Sequence, residues 1–175
     1  MIIIVADSSA LISLAMTDIF RFAEDINFKI PNEVYNEISL IKHYKDEDGY
    51  NANKIIRNLK EWNIEVLHIK NKIKLNNLIK DPLIDKGEAE SLILALENNI
   101  ERLITDDLKS IYALNKYSEG KVKIRSSILI PAILNFSNKI SRKQAKQAII
   151  QIAKYRKWNK SLFKESLELL NKYKK

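Results

Sequence analysis

The sequence Ile2-Ile-Ile-Val-Ala-Asp7 opens the chain with a short apolar run that ends in an acid. Its length and its β-branched residues are typical of a strand buried in a parallel sheet. Ser8 and Ser9 follow directly and offer caps for a helix through Ala15. This stretch therefore predicts a buried strand, an acid at its carboxyl end, and a helix that begins there.

The same alternation of strands and helices continues outward to residue 138. Further strands are predicted at 28–30, 64–69, 102–105 and 122–124, and helices at 87–97, 108–117 and 128–136. Tight-hairpin signals such as Asn-Gly do not occur between the strands. Alternating strands and helices are typical of a parallel sheet with helices on both faces. We predict a three-layer α/β domain at 1–138, with a mostly parallel sheet of four or five strands.

The last part of the chain, residues 139–175, differs in charge and in pattern. It carries 12 Lys or Arg and 2 Asp or Glu, a net charge of +10, whereas residues 1–138 have a net charge of −2. Ser141-Arg-Lys-Gln144 has the spacing of a capping box. Apolar stripes at helical spacing follow within 145–153 and 162–170. We predict a basic helical hairpin that packs against the α/β core or against a second copy of the chain in a homodimer.

The composition excludes several classes of function. The chain has no Cys and only two His, His43 and His68, which are far apart. Disulfides, zinc–thiolate sites and thiol nucleophiles are therefore excluded, and a Ser-His-Asp triad is disfavoured. With only three Gly, the chain has no Gly-rich phosphate loop. No apolar run reaches the roughly 20 residues that span a bilayer, so we expect a soluble, cytoplasmic protein with no membrane partner.

Acidic residues follow the strands or lie in the helices next to them. The candidates are Asp7, Glu37, Glu88, Glu90, Asp106 and Asp107. In open parallel sheets, ligands bind outside the carboxyl ends of the strands. Carboxylates that meet there raise one another's pKa unless a cation neutralises them, and ligand sets made only of oxygen select Mg²⁺ or Mn²⁺. Each acid taken singly is explained as well by a helix cap or a solvated helix face, but together they predict a metal site.

Four segments of the sequence carry a resemblance to a known family. They are Val5-Ala-Asp-Ser-Ser-Ala-Leu-Ile12, Ile30-Pro-Asn-Glu-Val-Tyr-Asn-Glu-Ile38, Asp85-Lys-Gly-Glu-Ala-Glu-Ser-Leu-Ile-Leu-Ala95 and Leu103-Ile-Thr-Asp-Asp107. In this order, over residues 1–135, they resemble PIN-domain proteins, most of all the VapC-type branch encoded beside toxin–antitoxin partners. The resemblance implies a ribonuclease that cleaves RNA with Mg²⁺ or Mn²⁺. In a toxin of this kind, an antitoxin protein would be the partner.

The resemblance also assigns roles to residues. The catalytic acids would be Asp7, Glu37, Glu90 and either Asp106 or Asp107, and all of these except Glu37 would also bind the metal. The family usually has Asp where Glu90 stands, so Glu88 is an alternative ligand at this point. Ser9 and Thr105 resemble hydroxyls that orient acids or waters, although roles as a cap and a strand end explain them equally well.

Two functions remain open at this level. The first is an endoribonuclease whose basic hairpin binds the RNA backbone. The binding residues would be Lys143, Lys146, Lys154 and Lys157. The second is a non-catalytic PIN-like module that binds RNA or a protein through the same hairpin, having lost its metal through the change to Glu90. A phosphatase or receiver domain is disfavoured because Asp7 lacks the Asp-x-Asp-x-Thr context of an aspartyl nucleophile.

Overall fold

A five-stranded sheet forms the centre of the protein in the computed structural model, which describes residues 1–159, 164, 167, 168 and 170. The strands are β1 (Ile2–Ala6), β2 (Ile26–Pro31), β3 (Ile64–Leu67), β4 (Arg102–Ile104) and β5 (Lys123–Arg125). They lie in the order β3-β2-β1-β4-β5, and each neighbouring pair is parallel. The predicted α/β fold with a parallel sheet of four or five strands is confirmed.

Eight α-helices and one 3₁₀ helix (Asp18–Phe22) occur in the part of the chain that the structure describes. The α-helices are α1 (Ser8–Met16), α2 (Asn32–Ile41), α3 (Glu47–Arg57), α4 (Lys72–Leu78), α5 (Lys86–Glu97), α6 (Leu108–Tyr117), α7 (Leu129–Phe136) and α8 (Arg142–Tyr155). Within the same residues, no helix combines the length and the apolar character needed to cross a membrane.

Side chains of β1 alternate between two hydrophobic clusters, one on each face of the sheet. Ile4 and Ala6 belong to a cluster that also contains buried residues of α1, α2, α3, α7 and α8. Val5 belongs to the other cluster, which is built from α4, α5 and α6. Because successive residues of a strand point to opposite faces, the sheet has helices on both sides, as the three-layer prediction requires.

The order of the strands reverses between β1 and β4. From β1 the chain adds β2 and β3 on one side, and it then returns to add β4 and β5 on the other. At such a point the two following loops separate and leave a crevice outside the carboxyl ends of the strands. Asp7 directly follows β1, and Thr105-Asp106-Asp107 directly follows β4. The fold thus brings two acidic segments to one crevice.

The basic C-terminal segment begins with the helix that its sequence predicts. Ser141 and Gln144 form the capping box at the start of α8, each side chain accepting from the other residue's backbone N–H. The apolar stripe within 145–153 is buried, and α8 packs against α1 and α7. The second helix predicted for this segment, at 162–170, lies largely outside the described residues, and the boundary between 138 and 139 stays a prediction.

Candidate active site

Asp7 and Asp106 lie close together in the crevice between β1 and β4. Asp7 is the N-cap of α1 and Asp106 follows Thr105 after β4; the two residues are 4% and 6% exposed. The Ser9 hydroxyl joins them, because it donates to the Asp7 carboxylate at 2.9 and 3.0 Å and accepts the Asp106 backbone N–H at 2.8 Å. The switch point of the sheet therefore holds a buried pair of carboxyl groups.

Further hydrogen bonds fix the orientation of the Asp7 carboxylate. Thr105 Oγ1 donates to Asp7 Oδ2 at 2.6 Å, and the backbone N–H of Ala10 donates to Oδ1 at 2.8 Å. The bond from Ala10 is the helix cap, while the bond from Thr105 crosses from β4 to β1 and has no capping function. Thr105 and Ser9 thus both donate to the Asp7 carboxylate, in addition to their roles at the strand end and in the helix start.

Asp106 has its own set of donors. The backbone N–H of Ser127 donates to Oδ1 at 2.8 Å and the Ser127 hydroxyl donates to Oδ2 at 2.7 Å. Ser127 lies just after β5, so the loops after β1, β4 and β5 all contribute to the pair. Asp107 instead caps α6, where its Oδ1 accepts from the backbone of Lys109 and Ser110 at 2.8 and 3.3 Å. Of the two candidates, the structure places Asp106 beside Asp7.

Burial makes both carboxyl groups of this pair weak acids. Loss of hydration raises the pKa of Asp7 from 3.8 to about 7, and the nearby charge of Asp106 adds to the shift, whereas the hydrogen bonds from Thr105 and Ala10 oppose it. Burial likewise raises the pKa of Asp106, against the hydrogen bonds of Ser127 and the positive charge of Arg156. A cation close to both carboxylates would stabilise their charged forms and so lower both pKa values.

Arg156, at the C-terminal end of α8, reaches into this region. Its Nε donates to Ser13 Oγ at 2.6 Å, and its Nη2 donates to the backbone oxygen of Ser9. The same Nε lies 3.8 Å from Asp106 Oδ2. The guanidinium therefore ties the basic C-terminal segment to the first turns of α1 and partly balances the charge of Asp106.

Glu37 and Glu90 form a second acidic group at the same edge of the sheet. The Ser8 hydroxyl donates to Glu37 Oε2 at 2.7 Å, which connects Glu37 to the helix that Asp7 caps. Glu90 Oε2 accepts the backbone N–H of Glu33 at 3.3 Å. Burial raises the pKa of Glu37, and the charges of Asp85, Glu33 and Glu90 raise it further. Glu90 lies in the second turn of α5, which begins one residue earlier than the helix predicted at 87–97.

Gly87 is the residue of α5 that makes room for Glu37. A Cβ atom built at Gly87 would overlap the Glu37 carboxylate, with Oε1 well inside contact distance. The absence of a side chain at this helical position therefore lets α5 approach α2 at the acidic edge.

Glu88 has a structural role at the start of α5. It forms a capping box with Asp85: Glu88 N–H donates to Asp85 Oδ1 at 2.8 Å and Asp85 N–H donates to Glu88 Oε2 at 3.0 Å. Burial raises the pKa of Glu88 to about 7, opposed by a hydrogen bond from Ser110. The carboxylate proposed as an alternative to Glu90 thus already has local partners.

The candidate acids do not converge on one point. Throughout the described ranges, no three acidic or histidine side chains are grouped so as to hold a metal ion. They lie instead as the Asp7–Asp106 pair and the neighbouring Glu37–Glu90 group. The pair nevertheless fits a small divalent cation, because its donors are all oxygen and its burial is unfavourable without a counter-charge. Mg²⁺ is commonly bound by only one or two carboxylates, with water and phosphate oxygens completing the shell.

The lysines predicted to bind RNA are distributed along α8 and the turn after it. All four, Lys143, Lys146, Lys154 and Lys157, are exposed. Arg156 marks the end of α8 that lies at the acidic pair, and a helix rises about 1.5 Å per residue. Lys154 and Lys157 therefore lie toward the same end of the helix as the site, whereas Lys143 lies roughly 20 Å away along the helix axis.

Three residues of the site were not predicted as part of it: Ser13, Ser127 and Arg156. Ser127 stands three residues after the strand predicted at 122–124, so its place near a strand end was a signal, although a weaker one than that of Thr105 at the end of its strand. Arg156 has no such signal, since it is one of many basic residues in the segment and its role depends on how α8 packs against α1.

The fold and its acidic crevice define a doubly wound α/β protein with a carboxylate site at the switch point. The family model DUF3368, described as a PIN domain, matches residues 3–170. The chain therefore belongs to this PIN-domain family, as its sequence segments predicted. PIN domains are typically nucleases and generally use divalent metals. No curated protein and no solved structure matches the chain significantly.

Proposed function

We propose that this protein is a Mg²⁺- or Mn²⁺-dependent endoribonuclease with its active site at the Asp7–Asp106 pair. The observation that supports this most strongly is the pair itself. Two buried carboxyl groups with raised pKa values lie at the switch point of the sheet, held by the hydroxyls of Ser9, Thr105 and Ser127. Burying two carboxyl groups side by side lowers the stability of the metal-free protein. Unfavourable arrangements of this kind are concentrated at functional sites.

The residues of this chain would act in distinct ways. Asp7 and Asp106 would hold the cation, and Ser9, Thr105 and Ser127 would keep their carboxylates in place. A bound divalent cation supplies charge stabilisation and an activated water for phosphodiester hydrolysis. The second acidic group, Glu37 and Glu90, would line the same edge on the α2 side.

Exposed lysines near the pair would hold the substrate. RNA phosphates are repelled by an acidic crevice, so a nuclease of this kind needs cationic groups beside its acids. Lys154 and Lys157 are exposed and close in sequence to Arg156, which lies at Asp106. These side chains would attract the RNA backbone toward the crevice.

RNA cleavage with a matched pair of variants tests this function. The full chain should cleave RNA with Mg²⁺ or Mn²⁺ and stop when EDTA is added. Asp7→Asn should remove at least about 99% of the activity, because the metal loses a charged ligand. Asp18→Asn, which removes an exposed carboxylate of the 3₁₀ helix, should cleave as the unchanged chain does. Equal cleavage by the Asp7 variant would refute the assignment.

A non-catalytic module that binds RNA or protein is the second candidate. The separation of the acids into two groups and the proximity of Arg156 to Asp106 favour it. The two candidates differ in the same assay, since a module of this kind would bind RNA without metal-dependent cleavage at any metal concentration.

The biological role that we propose is that of a toxin paired with an antitoxin protein. It is supported by the resemblance of the four acidic segments to VapC-type proteins. Expression of the chain alone should arrest bacterial growth, and Asp7→Asn should relieve the arrest at equal protein level. Growth arrest that persists in the Asp7 variant would separate toxicity from the proposed nuclease activity.

A further inference from the structure

A cavity of about 350 Å³ adjoins the acidic pair on the side of α6. This open pocket is lined by Ser9, Asp106, Asp107, Leu108, Lys109, Arg156 and Trp158. It therefore combines two cationic residues and a tryptophan with two acids, of which Asp106 belongs to the proposed catalytic pair and Asp107 caps α6. Ser9, Asp106 and Arg156 also belong to the network around the acidic pair, whereas the hydrogen bonds that the structure describes for Lys109 and Trp158 go elsewhere, to Asp107 and to the Ala153 backbone.

The turn that ends α8 fixes the position of Trp158. The N–H of Trp158 donates to the backbone oxygen of Ala153 at 2.9 Å, and the N–H of Lys157 donates to that of Lys154 at 3.1 Å. Lys157 has φ = 52°, in the left-handed region. These two bonds and the left-handed residue make a Schellman motif, a well-defined helix end. Trp158 is partly buried against the hydrophobic core on one side and lines the cavity on the other.

The two cationic groups of the cavity come from different helices. Arg156 is held by Ser13 and by the Ser9 backbone, so its guanidinium has a defined place. Lys109 lies exposed in the first turn of α6, where a positive charge is opposed by the helix dipole. A lysine at this position costs some stability, and Lys109 lines the same pocket as Arg156.

We propose that this cavity is a subsite for one nucleotide of single-stranded RNA, next to the bond that is cleaved. The base would stack on Trp158, and its phosphate would lie between Lys109 and Arg156. Base stacking on aromatic rings combined with cationic contacts to the backbone is the usual way in which proteins hold single strands. The inference rests on the proposed function in taking RNA as the substrate, and it assigns the C-terminal segment to substrate binding.

Fluorescence of Trp158 reports on this subsite directly. The chain has two Trp, and Trp62→Phe leaves Trp158 as the reporter while it keeps an aromatic ring stacked on Phe20. The full-length Trp62→Phe protein would be titrated with a 2′-O-methyl RNA oligonucleotide in EDTA, so that neither metal nor cleavage is involved. RNA binding should quench the fluorescence of Trp158.

The separate contributions of Trp158 and Lys109 to RNA affinity can be measured by the fluorescence anisotropy of a labelled oligonucleotide. Trp158→Leu should weaken binding about tenfold through lost stacking. Lys109→Gln should weaken it several-fold and lower the salt slope by about 0.7, the value for one phosphate contact on a single strand. Lys116→Gln, which removes an exposed lysine from the other end of α6, should leave affinity and slope unchanged.

The outcomes separate this inference from the proposed function. Unchanged affinity and salt slope in folded Lys109→Gln and Trp158→Leu proteins would overturn the subsite, even if the chain cleaves RNA. If Trp158→Leu does not fold, comparing Lys109→Gln with the Lys116→Gln control still tests the subsite, because both lysines are exposed. A protein whose binding depends on Lys109 and Trp158 but that never cleaves RNA would uphold the subsite and contradict the nuclease.

Discussion

Asp7 combines a structural and a proposed chemical role in one carboxyl group. It caps α1 and accepts hydrogen bonds from Thr105 and Ser9, yet burial raises its pKa to about 7. Without a metal the group keeps its proton to a much higher pH than an exposed aspartate does. The hydrogen bonds orient the Asp7 carboxyl group but do not compensate for its lost hydration. A bound cation would therefore stabilise the charged carboxylate strongly.

Asp7→Asn should therefore stabilise the metal-free protein, and the gain should increase with pH. The stability that the protonated Asp7 provides is fully present below its unfolded pKa of 3.8 and is lost as the pH rises through about 7. The full shift corresponds to about 4 kcal/mol at most, and each kcal/mol raises the melting temperature by about 2–4 °C in a chain of this size.

Thermal unfolding in EDTA between pH 5 and pH 8.5 measures this effect. The melting temperatures of Asp7→Asn and the unchanged chain should diverge as the pH rises, while Asp18→Asn should follow the unchanged chain. An Asp7 variant that is less stable than the unchanged chain at pH 8.5 would mean that the buried carboxylate carries no such penalty.

Gly87 offers a second test at the scale of one residue. Gly87→Ala would displace the Glu37 carboxylate from its contact with Ser8, because the new methyl group needs the same space. Stability should change by about 1 kcal/mol or less, since alanine also favours the helix and the end of the Glu37 side chain can move. Metal-dependent RNA cleavage should fall about tenfold or more if Glu37 takes part.

The same assay in a Glu37→Ala background provides the control for this prediction. There Gly87→Ala has no carboxylate to displace, so it should cause no further loss of activity. Equal losses from Gly87→Ala in both backgrounds would show that the glycine acts through the backbone of α5 and not through Glu37.

At the scale of secondary-structure elements, the direction of α8 distinguishes its lysines. Its C-terminal end lies at the acidic pair through Arg156, and its N-terminal end lies about 20 Å away. Phosphates of a strand bound in the crevice are therefore closer to Lys154 and Lys157 than to Lys143 and Lys146.

Replacing lysines in pairs should show this asymmetry. Lys154→Gln with Lys157→Gln should weaken binding of 2′-O-methyl RNA in EDTA and lower the salt slope by about 1.4, or about 0.7 for each contact on a single strand. Lys143→Gln with Lys146→Gln removes the same charge and should have a smaller effect. Equal effects of the two pairs would indicate a non-specific contribution of the net charge.

The start of α8 was more predictable than the packing of α8 against other helices. Ser141 with Gln144 indicated a capping box that the structure contains, since capping depends on residues three apart. α4 lies in a polar stretch without a clear apolar period, and its helix depends on Leu75 and Leu78 packing into the cluster around α5. Tertiary packing of this kind leaves little trace in the local sequence.

At the scale of the whole molecule, the apolar runs and their alternation with helices were sufficient to predict the parallel sheet. They did not show which strands are neighbours, and that order decides the site. Because β4 lies next to β1, Asp106 and Thr105 meet Asp7, whereas Glu37 and Glu90 lie on the β2 side. Sequence reasoning placed these acids in one metal-binding group, whereas among the described residues they lie in two neighbouring groups, and their functional roles stay a prediction.

Calorimetric titration with Mn²⁺ at pH 7.5, in two buffers of different ionisation enthalpy, tests the central claim most directly. The full chain should bind Mn²⁺ and release protons, because carboxyl groups with raised pKa values must ionise to bind the metal. Asp18→Asn should bind in the same way, and Asp7→Asn should show no binding in the same concentration range. Binding of Mn²⁺ by Asp7→Asn with unchanged affinity and proton release would contradict a metal site at the Asp7–Asp106 pair.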